Sequence, residues 1–132
     1  MKKKINCCTH LVGFSKDMEA EEYDTLPDNK PLGLVGTFKF EYDYPLNTKA
    51  VFEHQLTAET TALDILEMGQ ADYKRIYREE DEDVGAPTGN IPGMLNRQIS
   101  SGRYGIWGHS IGDLFFEGIK ISGNVISFEM GS

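Results

Sequence analysis

The segment Tyr104-Gly-Ile-Trp-Gly-His-Ser-Ile-Gly-Asp113 joins the chain's only tryptophan, Trp107, to His109, Ser110 and Asp113. A histidine with a carboxylate nearby is the minimum for general-base catalysis, and Ser110 or Ser101 would be the nucleophile it activates. In that scheme His109 is the base, Asp113 orients it, and Arg97 stabilises developing negative charge, as in a small hydrolase. No G-x-S-x-G elbow presents either serine, and adjacency of Ser110 to His109 sets no geometry between their side chains. The same residues also have a structural reading, which the sequence favours. His109 caps a turn or donates to a backbone carbonyl, and Trp107 is buried under the loop.

Arginine supplies a second signal. All four arginines, Arg75, Arg78, Arg97 and Arg103, fall between 75 and 103, with Lys74 the only lysine close by. The planar guanidinium fork recognises carboxylate or phosphate in a bidentate way, and arginine and aromatic residues anchor interfaces. Asn96, Arg97, Arg103, Tyr104, Trp107 and His109 therefore form a candidate site in the 94–113 segment for a protein partner or a small anionic ligand. The plainer alternative has Arg75 and Arg78 pairing with the acids at 79–83 or lying on a solvated helix face.

Other motifs stop short of a chemistry. Gly102, Gly105 and Gly108 recur every third residue without making G-x-G-x-x-G, and Gly85 to Gly89 lacks the spacing and Lys-Ser/Thr of a phosphate loop. Asp81 and Asp83 begin like a calcium loop, but Gly85 falls one place early and no third ligand precedes it. Cys7, Cys8 and His10 contain no C-x-x-C, so no metal and no cofactor is expected. Both cysteines read as buried apolar side chains, and His54 as a core histidine near Phe40.

These residues need elements to position them. The strongest pattern is at 34–44, where Leu34, Phe38, Phe40, Tyr42 and Tyr44 share one parity and Thr37, Lys39, Glu41 and Asp43 the other, as in a half-buried strand. Ala50, Phe52, His54 and Leu56 repeat it more weakly. A loop at 45–49 would pair the two strands with Tyr42 opposite Phe52 and Phe38 opposite Leu56. Gly123-Asn124 is a two-residue hairpin turn, which sets Ile121 against Ile126 and Ile119 against Phe128. The run from Ile5 to Phe14 predicts a further strand, and its blurred alternation suits a central one covered on both faces. Thr57 is the expected cap of a helical region over 58–80, read from Leu63, Leu66, Tyr73, Ile76 and Tyr77; Gly69 leaves one helix or two open. From 84 to 108 six of the 14 glycines, with Pro87 and Pro92, make a long loop with enough apolar residues to pack on the body.

The fold expected is α+β: a mainly antiparallel sheet of about five strands, the 58–80 helical region on one face, and the 84–108 loop over an edge or end. At 132 residues, with 39% hydrophobic and 26% charged, the chain reads as one globular domain, 1–132, able to fold without disulfide or metal staples.

Its formal net charge of −8 argues against a general nucleic-acid binder. Residues 17–24 and 79–83 hold ten of the 21 acids, so the remainder has 11 acids against 13 basic residues, and the acidity is local. Each run reads as a solvated face; were they to meet in space, they would form a DNA-mimicking or basic-partner surface. Lys2, Lys3 and Lys4 imitate the basic start of a signal peptide, but the polar residues Asn6, Thr9 and His10 prevent an apolar core from developing after them. No apolar run approaches a membrane span. The expected setting is the reducing cytoplasm, with no membrane partner. Exposed sheet edges are a route to a homo-oligomer.

The most economical functional reading is a non-enzymatic binding protein using the 94–113 segment. The hydrolase-like enzyme and the acidic mimic are its alternatives.

Overall fold

A computed structural model describes residues 2–85 and 99–132. Five strands, β1 (Lys2–His10), β2 (Gly36–Tyr42), β3 (Ala50–Leu56), β4 (Phe115–Ser122) and β5 (Val125–Gly131), form one sheet in the order β1-β4-β5-β2-β3. Every neighbouring pair is antiparallel except β2 with β5, so the sheet is mixed. Among the described residues a single α-helix, α1 (Ala62–Val84), packs on one face in the α+β layout expected.

The β4–β5 hairpin has the expected register, with Ile121 opposite Ile126 and Ile119 opposite Phe128 around the turn at Gly123. In the β2–β3 hairpin the faces agree with expectation and the register does not. Tyr42 pairs with Ala50, Phe40 with Phe52 and Phe38 with His54, a slide of two residues. Side chains alternate with period two, so a slide of two returns every side chain to its own face and leaves the alternation unchanged. The connecting loop settles the matter. It begins at Asp43, whose carbonyl accepts from the Leu46 amide, and Leu46 is buried and bridged to Ile106.

Two further expectations are corrected. β1 is an edge strand, not a central one, and it ends at His10. Leu11 and Phe14 blur its alternation because they are buried in the turn after the strand, where the Gln70 amide donates to their carbonyls at 2.9 and 2.7 Å. The helix starts four residues later than expected. Thr61, not Thr57, is the cap, because Asp64 three residues on completes a reciprocal box with it while Thr57 has only Thr60 in that place.

α1 is continuous through Gly69 because that residue lies directly under Phe128 of β5. A Cβ there would sit 2.7 Å from the Phe128 ring, so the absent side chain is what lets helix and sheet approach. Phe38, Phe40, Tyr42, Ile119, Ile121, Ile126 and Phe128 meet Ile65, Leu66, Tyr73 and Ile76 in one core. Of the adjacent cysteines Cys7 is buried as expected, and burial raises its thiol pKa to about 12. Cys8 is exposed because it points to the opposite side of the strand; both thiols are free. No helix among the described residues is long and apolar enough to cross a membrane.

Candidate functional site

The C-terminal turns of α1 carry Glu79, Glu80, Asp81, Glu82 and Asp83 with no basic residue in the last turn, an arrangement the helix dipole disfavours. Segment 99–106 provides compensation. Glu80 is fully buried and accepts from the Ser100 hydroxyl and from the backbone N–H groups of Gly102 (2.9 Å), Tyr104 (2.9 Å) and Gly105 (3.2 Å). Gly102 passes so close to this carboxylate that a Cβ would collide with it.

Glu79 accepts from the Tyr104 hydroxyl at 2.7 Å and pairs with Arg103 and Arg75 at 3.2 and 3.3 Å. Its carboxyl is held below the ordinary range, first by the Tyr104 hydroxyl and then by the two arginines, against some desolvation. Tyr104 is pushed up to about 12, chiefly by burial and then by its bond to Glu79. Arg103 holds Asp83 by a fork, Nε to one carboxylate oxygen and Nη2 to the other, both at 2.9 Å, and its backbone N–H donates to the same group. These bonds lower Asp83 to about 2. Arg103 and Tyr104 thus face the helix end, where they fasten the loop. Asn96 and Arg97 lie outside the described residues.

Fastened on one side to α1, the loop is tied on the other to the β2–β3 connection. Asn47 N–H donates to the Gly105 carbonyl (2.7 Å), Trp107 N–H to the Pro45 carbonyl (2.8 Å), and Ile99 bridges Trp107. Trp107 is not buried under this loop as the structural reading expected. It is 49% exposed beside Ile99 at 41%, because the bonds that hold its backbone leave the indole on the outer side.

Two residues on, His109 N–H and carbonyl are within the turn, and the carbonyl accepts from the Tyr77 hydroxyl at 2.9 Å. Among the described residues the imidazole neither caps that turn nor donates to a carbonyl. Its Nδ1 faces Asp113 at 4.0 Å, beyond a hydrogen bond, and its Nε2 lies 3.4 Å from the Ser132 hydroxyl. Ser132 is also bonded to the Tyr44 hydroxyl at 2.7 Å, and the Tyr44 ring flanks His109. Asp113 accepts from Ser110 N–H at 3.1 Å, which keeps it on the Nδ1 side, in the short 3-10 helix Ile111–Asp113. Ser110 contributes an amide here. The hydroxyl next to the imidazole is Ser132, 23 residues away in sequence, and no local pattern announces it.

A second histidine and carboxylate meet at the α1–sheet interface. Buried Asp72 accepts from His54 Nε2 at 2.7 Å and from the Tyr42 hydroxyl, with Phe40 edge-on to the imidazole. His54 does lie near Phe40 as expected, although it is partly exposed. Tyr42 is raised well above its ordinary value, by burial first and by Asp72 second. Arg75 stacks over Phe52 at 4.4 Å, so part of its role is a cation–π contact.

The acidic runs lie at different levels of α1. Lys16, at the start of the first, pairs with Asp64 and Glu67, whereas the second begins at Glu79, roughly 20 Å further along the helix axis at about 1.5 Å per residue. With Glu79, Glu80 and Asp83 turned to the loop, only part of the second run is available to a continuous negative face. No three His, Cys, Asp or Glu side chains converge as a metal site among the described residues. No family model, curated protein or solved structure matches this chain.

Proposed function

We propose that this is a non-enzymatic binding protein that engages a protein partner through the surface formed by Ile99, Trp107, His109 and Tyr44. The observation that carries the reading is the half-exposed indole of Trp107, held in place by a backbone locked onto Glu80 and Pro45. An exposed tryptophan on a pre-ordered loop meets the two requirements of an anchor: large apolar area and little conformational entropy left to lose on binding. Arg103 and Tyr104 act here through the loop they fasten. A reducing, cytoplasmic setting belongs to the same reading, in keeping with the two free thiols. A photoreactive benzoylphenylalanine at position 107 should yield a discrete protein adduct in cells, and the same probe at Val51, equally exposed on the sheet, should not. Identical adducts from both positions, or none from 107, would remove the proposal.

One observation favours a second reading. Asp113, His109 and Ser132 stand in the order carboxylate, imidazole, hydroxyl, the arrangement of an activated serine, although both separations are longer than working hydrogen bonds. In a hydrolase of this kind Ser132 is the nucleophile, His109 the base and Asp113 the orienting group. Labelling of Ser132 by a fluorophosphonate that disappears in His109→Ala supports it; failure to label eliminates it.

A further inference from the structure

The sheet face opposite α1 carries a cluster of lysines at one corner. Lys4 of β1 is directly opposite Lys120 of β4, which is opposite Ser127 of β5; further along, Lys2 is opposite Ser122. Ile5, Ile119, Ile121, Ile126 and Phe128 point to the core, so alternation sends Lys2, Lys4, Lys120, Ser122 and Ser127 to the open side. Lys3 lies on the core-side parity but stays exposed at the sheet edge. Lys2, Lys3, Lys4, Lys120, Ser122 and Ser127 line a cavity of about 500 Å³ with Ile121, and Lys3 and Lys4 also line an adjoining one of about 540 Å³ that adds Lys30, the carboxylate of Asp28 and the first residue of α1.

Like charges directly across a strand pair destabilise it, so Lys4 opposite Lys120 is costly. Lys4 relieves part of this through Glu129 at 3.0 Å. Among the described residues Lys2, Lys3 and Lys120 form no ion pair. Lysines on β1 alone would be explained as protection of an edge strand against pairing. Lys120 has no such explanation, since β4 is flanked on both sides. The concentration of positive charge is also local to this corner of a chain whose net charge is −8.

From this juxtaposition we infer that the β1–β4 corner is a binding site for a small ligand carrying two or more neighbouring phosphates. Ammonium groups act as point charges on phosphate, and the neutral hydroxyls of Ser122 and Ser127 donate short, charge-assisted hydrogen bonds to its oxygens. The site is independent of the Trp107 surface.

Inorganic pyrophosphate is the probe, followed by amide chemical shifts of the full chain. A saturable change confined to residues 2–5 and 119–127 is expected, with affinity weakened about tenfold in Lys120→Gln and again in Lys2→Gln, while Lys49→Gln, whose lysine pairs with Glu41, binds as wild type. All three side chains are exposed, and a thermal melt checks that each variant folds. Vesicles of phosphatidylcholine containing a phosphatidylinositol phosphate separate a lipid headgroup from a free phosphate as the source: Lys120-dependent binding to either one supports the site. Changes scattered over the surface, an unaltered Lys120→Gln, or a single-stranded oligonucleotide that binds through these lysines far more tightly than pyrophosphate would overturn the inference.

Discussion

Asp72 and Glu80 are both buried on α1, eight residues apart, and their hydrogen-bonding needs are met in different ways. Asp72 is reached by two side chains, Tyr42 from β2 and His54 from β3, so it ties the helix to the sheet through specific residue types. Glu80 is reached by three backbone amides and a serine hydroxyl, so it shapes a loop mainly through its main chain. Side-chain donors can be withdrawn one at a time. Amide donors belong to the chain and are left orphaned together when the acceptor goes, which makes Glu80 the more sensitive position and the Trp107 surface dependent on it.

Removing Glu80 gives the largest expected effect. Glu80→Ala strands several buried donors at about 1–3 kcal/mol each, so a loss of roughly 3–5 kcal/mol in urea unfolding is expected, together with increased solvent quenching of Trp107 fluorescence as the loop loosens. A loss below about 1 kcal/mol, or an unchanged indole, would place the pinning of the loop elsewhere. Asp72→Ala should cost less, about 2–3 kcal/mol, because His54 is partly exposed and can turn to water; the Trp107 signal should stay unaltered. Equal disturbance of Trp107 by both variants would erase the distinction between the two carboxylates.

Tyr42→Phe takes away one of the two donors to Asp72 while retaining the ring stacked on Phe128, so about 1 kcal/mol is expected from the same unfolding measurement. The smallest effect concerns Arg103, whose side chain is half exposed. Arg103→Gln should hardly move the unfolding midpoint in neutral solution, yet it should return Asp83 from about 2 towards its ordinary 3.8, seen in a carboxyl titration by NMR. A lowered folded-state pKa fixes the sign. In the wild type the Asp83–Arg103 contribution is fully present above about pH 4 and is lost as the pH falls through about 2, whereas the variant should lack that acid-dependent component.

Legibility in the sequence tracks the number of ways a pattern can be satisfied. The β4–β5 register was readable because Gly123-Asn124 allows one short turn and hence one pairing. The β2–β3 register was not, since any even slide keeps Phe38, Phe40 and Tyr42 inward, and a longer loop tolerates more than one. Thr61 with Asp64 was a capping signature open to view, obscured by the threonines at 57 and 60. Edge or centre is a matter of topology, and the alternation of β1 carries no information about its neighbours. Within the candidate site, the closeness of His109 and Asp113 was legible from their spacing. The exposure of Trp107, the inward turn of Glu80 and the approach of Ser132 to His109 were not.

By itself, then, the sequence determined which segments become strands and helix, which of their faces are apolar, and the one turn short enough to set a register, because those depend on local periodicity and backbone chemistry. Only the tertiary structure decided the strand order, the burial of two acids on α1, and the meeting of residues 44, 109 and 132. Those outcomes depend on which buried donors and acceptors find each other across the chain, and separation in sequence leaves no trace of that.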